Sequence, residues 1–194
     1  MVLNKKLLAL GLASATLVGA AQAGNFYVGG DVGHAKGKSF CSSIHGTDCH
    51  DSDTVYSLFG GYDLDQYVGF QAGYSDLGKL TEKHWANSGK VTFQAYSFDL
   101  AVIGRVPLTD AFSLYGKGGA SYYDTRIKID NFGSRIYSKD AAGWSPVLGA
   151  GVQWNLGSIA LLAGLERMWD VGDKKRTGQV ERIDQFNVGL KFPF

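Results

Sequence analysis

The strongest constraint on this chain is a two-residue period of apolar side chains that runs to its final residue. In FNVGLKFPF, residues 186–194, Phe186, Val188, Leu190, Phe192 and Phe194 share one face of an extended strand, and Asn187, Gly189 and Lys191 take the other. Chain termini usually fray into water. A terminal row of five apolar side chains therefore calls for a solvent other than water.

The same period recurs upstream. Phe26, Val28, Gly30 and Val32 alternate with Tyr27, Gly29, Asp31 and Gly33, and Val68, Phe70, Ala72 and Tyr74 alternate with Gly69, Gln71, Gly73 and Ser75. Phe98, Leu100 and Val102 oppose Ser97, Asp99, Ala101 and Arg105, while Phe112, Leu114, Ala120 and Tyr122 oppose Ser113, Tyr115, Lys117, Ser121 and Tyr123. Leu148, Ala150, Val152 and Trp154 stand against Gly149, Gly151 and Gln153. SIALLAGLERMW, residues 158–169, is apolar on both faces at first, and the phase taken puts Leu161, Ala163 and Leu165 on one face with Gly164 and Glu166 on the other. With TVYSLFGGY at 54–62 and the terminal segment, the count is eight strands, an even number. Aromatics at 13%, 27 glycines and only 3 prolines fit many strands and few helices.

Two further features choose the medium. MVLNKKLLALGLASATLVGAAQA places Lys5 and Lys6 before an apolar run and ends on Ala21-Gln22-Ala23, which reads as a secretory signal, residues 1–23, cut before Gly24. The links between strands are unequal in a regular way: short ones at 62–67, 106–111 and 154–158 alternate with long polar ones at about 35–53, 76–91, 124–141 and 170–183. Periodicity by itself fits a soluble, lipocalin-like barrel of reversed polarity as well. Loop asymmetry, aromatics near strand ends (Tyr62, Tyr67, Phe112, Trp154) and the terminal Phe favour an all-β, eight-stranded antiparallel up-and-down transmembrane barrel over residues 24–194, standing in a bacterial outer membrane. Without Lys5 and Lys6 the 19 basic side chains fall to 17 against 18 acidic ones, so no global field points to nucleic acid.

The segments FGGYDLDQYVGFQAGYSDLGKL (59–80), GWSPVLGAGVQW (143–154), LAGLERMWDVGD (162–173) and FNVGLKFPF resemble the eight-stranded transmembrane domain of the OmpA family, in the same order and over essentially all of residues 24–194. The resemblance implies a lumen filled by interlocked acid and base pairs. Where relatives place such residues this chain has Gln71, Ile103, Gln153 and Gly164, so the expected network is thinner and leaves Asp31, Asp99, Arg105, Lys117 and Glu166 to pair with one another. It also implies that Asn187, Gly189, Phe192 and Phe194 form the signal read by the barrel-assembly machinery. Full-length members continue into a peptidoglycan-binding domain, whereas this sequence stops at the barrel, and no cell-wall tether is expected.

An eight-stranded barrel is only wide enough inside for side chains, so a structural lumen is expected ahead of a narrow porin-like channel for ions or small solutes. Cys41 and Cys49, the only cysteines, are expected to form a disulfide in an oxidising compartment. His34, His45, Asp48, His50, Asp51 and Asp53 crowd beside them at irregular spacing, and a disulfide removes the thiolates a zinc site would want, so no metal or other cofactor is expected. Arg126, Lys128, Arg135, Lys139, Lys174, Lys175, Arg176 and Arg182 lie in the long links, and Arg167 falls on the lipid-facing row beside Trp169, where a guanidinium reaches head-group height and can meet a lipopolysaccharide phosphate. Candidates for catalysis are scattered (Ser42, Ser43, His45, His84) with no G-x-S-x-G, and a lipid-modifying enzyme ranks third behind a structural, surface-contact role and a channel. The barrel is expected to be a monomer in contact with outer-membrane lipids.

Overall fold

The structure is a computed structural model that describes residues 26–38, 48–50, 52–84, 89–131, 134–173 and 178–194. The segment read as a secretory signal, and Cys41, Ser42, Ser43, His45 and Asp51, lie outside the described residues; of Cys49, His50 and His84 only the backbone is described. Eight long strands follow in chain order: β1 (Phe26–Lys38), β3 (Ser52–Asp63), β4 (Val68–His84), β5 (Gly89–Pro107), β6 (Phe112–Asn131), β7 (Ser134–Asn155), β8 (Ala160–Asp173) and β9 (Gly178–Pro193). A short β2 (Asp48–His50) lies on β4. Every neighbour pair is antiparallel, and β1 pairs with β9 from Tyr27↔Pro193 to Lys38↔Arg182, which closes the sheet into a barrel. The Phe194 N–H donates to the Phe26 carbonyl at 2.8 Å, so the last residue is held in the ladder and does not fray.

Short turns join the strands at one end, and their sequences explain their tightness. Asp65 Oδ1 accepts the N–H groups of Tyr67 and Val68, both at 2.7 Å, and Thr109 Oγ1 accepts that of Phe112 at 3.0 Å. Both are side chains standing in for a backbone acceptor within a turn. Gly157, at φ +84°, supplies the left-handed residue of the third.

Alternation sorts the side chains as hydrocarbon requires. Val28, Leu58, Phe70, Leu100, Leu114, Leu148, Leu165 and Leu190 point outward and are exposed, while Asp99, Arg105, Lys117, Gln153 and Lys191 point inward and are buried. Leu161, Ala163 and Leu165 carry the outward phase of β8, with Gly164 and Glu166 inside. Outward aromatics form two belts: Phe26, Tyr67, Phe112, Trp154 and Phe194 below, and Tyr56, Tyr74, Tyr122 and Trp144 above. Phe112 and Tyr122 on β6, and Trp144 and Trp154 on β7, are each ten residues apart. At about 3.3 Å per residue and about 40° of tilt, that span is about 25 Å, the height of a barrel's apolar band.

Above the upper belt the expectation of long polar links is corrected. Most of those residues are strand: β4 runs to His84, β5 starts at Gly89, and β6 and β7 meet across Asn131↔Ser134. Polarity inverts around the level of the upper belt. Val55, Val147, Val171, Met168 and Ile183 turn inward into one buried apolar cluster with Ala35, Leu77, Ala95 and Tyr123, to which all eight long strands contribute. Outward positions at and above this level are Thr54, Asp76, Asp124, Arg126 and Asp140. The strands continue past the membrane into water and there obey the ordinary rule of a soluble barrel, which is why a polar sequence read as loop. A sheet closed into a barrel around its full circumference should resist dodecyl sulfate until boiled. The unboiled refolded protein is expected to migrate faster than the boiled one on a gel, and identical mobility would contradict the closure.

Candidate functional site

Two ion clusters fill the membrane-spanning lumen. At the turn end, Asp63, the last residue of β3, sits between Arg105 of β5 and Lys191 of β9: Arg105 Nη1 donates to its Oδ1 and Lys191 Nζ to its Oδ2, both at 2.8 Å. The Tyr27 ring lies under both cations, 3.9 Å from Lys191 Nζ and 5.8 Å from Arg105 Cζ, which adds cation–π attraction. That ring fits because residue 61 is glycine, where a Cβ would overlap it. The Tyr27 hydroxyl donates to Gln71 Oε1 at 3.3 Å.

Midway up, Lys117 Nζ donates to both Glu166 oxygens at 3.0 and 2.9 Å and lies 3.6 Å from Asp99 Oδ2. Asp31 lies opposite Ser57, whose hydroxyl accepts a hydrogen bond from Ser75 Oγ at 3.0 Å. Gln153 Nε2 donates to Asn155 Oδ1 at 2.6 Å. Between the clusters a cavity of about 40 Å³ is lined by Asp31, Tyr115, Glu166, Asn187 and Gly189 among others, room for about three waters. The apolar cluster of Val55, Val147, Met168 and Val171 closes the lumen above it.

On the outer wall at the upper belt, Arg167 projects outward, donates through Nε to Asp184 and lies 6.0 Å from the Trp169 ring centroid. Arg182 Nε reaches the other oxygen of Asp184 at 3.0 Å. Two guanidinium groups thus share one carboxylate at head-group height. His34 projects outward on β1, and no group of three or more His, Cys, Asp or Glu side chains among the described residues is arranged to hold a metal.

Lumen, closure and belts together point one way, and a profile of the OmpA-like transmembrane domain matches residues 21–194. The chain belongs to the OmpA-like transmembrane-domain family. Outer membrane protein A of Klebsiella aerogenes is 27% identical over 202 residues, covering 99% of this chain and 56% of the relative. That of Escherichia coli O157:H7 is 27% identical over 148 residues, covering 75% of this chain and 40% of the relative. The chain thus spans about half, or less, of the length of these relatives. Among solved structures, OprG of Pseudomonas aeruginosa superposes with a TM-score of 0.57 at 17% identity, over 89% of this chain and 96% of that one. Neisserial surface protein A gives 0.54 at 20% identity, over 87% and 97%. These likenesses establish an outer-membrane β-barrel fold, and the protein is located in the outer membrane.

Within this OmpA-like barrel, the structure brings together Asp99, Lys117 and Glu166 in one cluster and sets Arg105 in the other, while Asp31, Gln71 and Gln153 line the cavity between. Asn187 and Gly189 also line it, and Phe192 and Phe194 face outward. Asp63 and Lys191 are the members that the reading of the lumen missed. Asp63 sits in what reads as a turn, whereas β3 runs to it and continues there the inward row of Val55 and Phe59; Lys191 lies on the inward row, but its partner is 128 residues away in sequence. Buried ion pairs are costly to break singly, because the remaining charge is stranded. Lys117→Met is therefore expected to destabilise the barrel by about 3–5 kcal/mol in urea titration from lipid vesicles. Adding Glu166→Gln should recover part of that loss, and strictly additive losses would show that the pair is not coupled.

Proposed function

We propose that this barrel serves the outer membrane as a wall and surface element: it contributes to envelope integrity, presents its extracellular strands to the surroundings, conducts nothing and catalyses no reaction. The lumen supports this reading. Its lower half is occupied by paired charges with room for only a few waters, and its upper half is sealed by apolar side chains from every long strand. An ion would have to shed its hydration among apolar groups that cannot replace it. Purified protein in planar bilayers is expected to give no steady unit conductance, and openings of a defined size would overturn the reading in favour of a narrow channel.

The reading includes two partners. The barrel-assembly machinery takes the precursor by its terminal strand, through Asn187, Gly189, Phe192 and Phe194. Lipopolysaccharide phosphate meets Arg167, beside Trp169. Because Arg167 and Arg182 share Asp184, one positive charge in the trio is left for a phosphate oxygen, and an arginine fork suits that acceptor. Arg167→Ala leaves Asp184 paired with Arg182 and should fold normally, yet carry less lipopolysaccharide through purification. An unchanged lipid-to-protein ratio would remove this contact from the proposal.

A further inference from the structure

The spanning part of the lumen lacks one positive charge. All of its inward-facing residues are described, and the charged side chains among them are the carboxyls of Asp31, Asp63, Asp99 and Glu166 and the cations of Arg105, Lys117 and Lys191. The outward row cannot make up the difference, because it is apolar at this height, with Val32, Leu58, Leu100, Leu148 and Val188 exposed. An uncompensated charge in a water-poor bore is strongly disfavoured.

The shortage falls midway up the barrel. At the turn end Asp63 faces two cations, Arg105 and Lys191. Above them Asp31, Asp99 and Glu166 share the single ammonium of Lys117, whose Nζ donates to both Glu166 oxygens and stands 3.6 Å from Asp99 Oδ2. Asp31 lies on β1, four strands round the barrel from the β6 that carries Lys117, and none of these ion pairs includes it. Its Oδ1 is buried without a hydrogen-bond partner. So is the Oδ1 of Asn187, a residue only 7% exposed that lines the same cavity. Both atoms are acceptors, and one added hydrogen would supply a donor where two acceptors lack one.

We propose that the folded barrel holds Asp31 as a carboxylic acid, so that a bound proton supplies the positive charge that the lumen side chains leave out. The proton comes from water on folding: a carboxylate lone pair forms the new O–H bond, one O–H bond of a hydronium ion breaks, and a water molecule leaves. The two strands that flank β1 set only Ser57 and Gly189 opposite Asp31. Across the lumen the titratable groups facing it are Asp99 of β5, Tyr115 and Lys117 of β6, and Glu166 of β8. Two of the three charges in that set are negative. Loss of the proton would leave three carboxylates to one ammonium, and the small cavity would have to admit a cation or more water to balance them. The closed lumen is thereby secured by acidity and loosened by alkali.

Infrared spectroscopy of the full chain in lipid vesicles at about pH 6, where exposed carboxyls are ionised, reads the proton directly. A carboxylic-acid C=O band is expected that moves on carbon-13 labelling of aspartate and is absent from Asp31→Asn. That variant keeps size and shape and should remain heat-modifiable; were it not to fold, the labelled native protein still decides, since no label-sensitive band would overturn the proposal. A label-sensitive band that survives in Asp31→Asn would overturn it too. Urea titration gives a second measure. Unfolded, Asp31 is ionised above about pH 5, whereas the folded barrel keeps its proton, so the folded state binds one proton more and stability falls as pH rises, until Asp31 ionises in the barrel as well. Over that range the native folding constant should fall by up to about tenfold per pH unit relative to Asp31→Asn. Parallel pH profiles would count against the proposal, and stability that follows sodium concentration rather than acidity would replace the proton by a metal ion. The inference rests on the closed-lumen reading, and the two fail separately: conductance tests the closure, and the infrared band tests what balances the charge inside.

Discussion

Backbone hydrogen bonding in a medium without water is the constraint on which the rest of this structure depends. Within hydrocarbon every unpaired N–H or C=O costs several kcal/mol, so the sheet must close and its last strand must be held to its final residue. The β1–β9 seam and the Phe194–Phe26 bond satisfy that demand. Where water returns, the demand lapses. The described strands then stop pairing at different heights.

The same change of solvent explains the lumen. In the membrane the outward face must be apolar, so the alternation leaves the polar residues inside, and a bore this narrow forces them to satisfy one another. Asp63 between Arg105 and Lys191, and Lys117 between Glu166 and Asp99, are that outcome. Above the upper belt the outward face meets water and becomes polar, and around the level of that belt Val55, Val147, Met168 and Val171 pack inside into a buried apolar cluster. One barrel therefore carries two inverted polarity schemes end to end, with the aromatic belt marking the change.

Much of this was legible because a period of two is insensitive to distance. The outward row of Phe186 to Phe194 and the inward row holding Lys117 and Glu166 follow from alternation within single strands. The extent of the strands was less legible. Residues 76–84 and 134–141 are polar, and in a protein read against hydrocarbon a polar stretch looks like a loop, although a strand in water carries the same composition. Asp63 illustrates the other gap: it continues the inward row of Val55 and Phe59, but it reads as part of the turn because no local signal marks β3 as running to residue 63.

The sequence by itself determined the number of long strands and, for most of them, which side chains share a face, and with its strand-end aromatics and terminal row it favoured hydrocarbon as the medium, because solvent preference acts residue by residue. Only the tertiary structure decided which charges meet, that an apolar cluster lies above them, and that, among the described residues, β7 pairs with β8 only as far as Val147↔Met168. Those depend on closure, tilt and relative register, and these bring together residues as distant as Asp63 and Lys191 through the hydrogen bonds of strands that lie between them in space rather than in sequence.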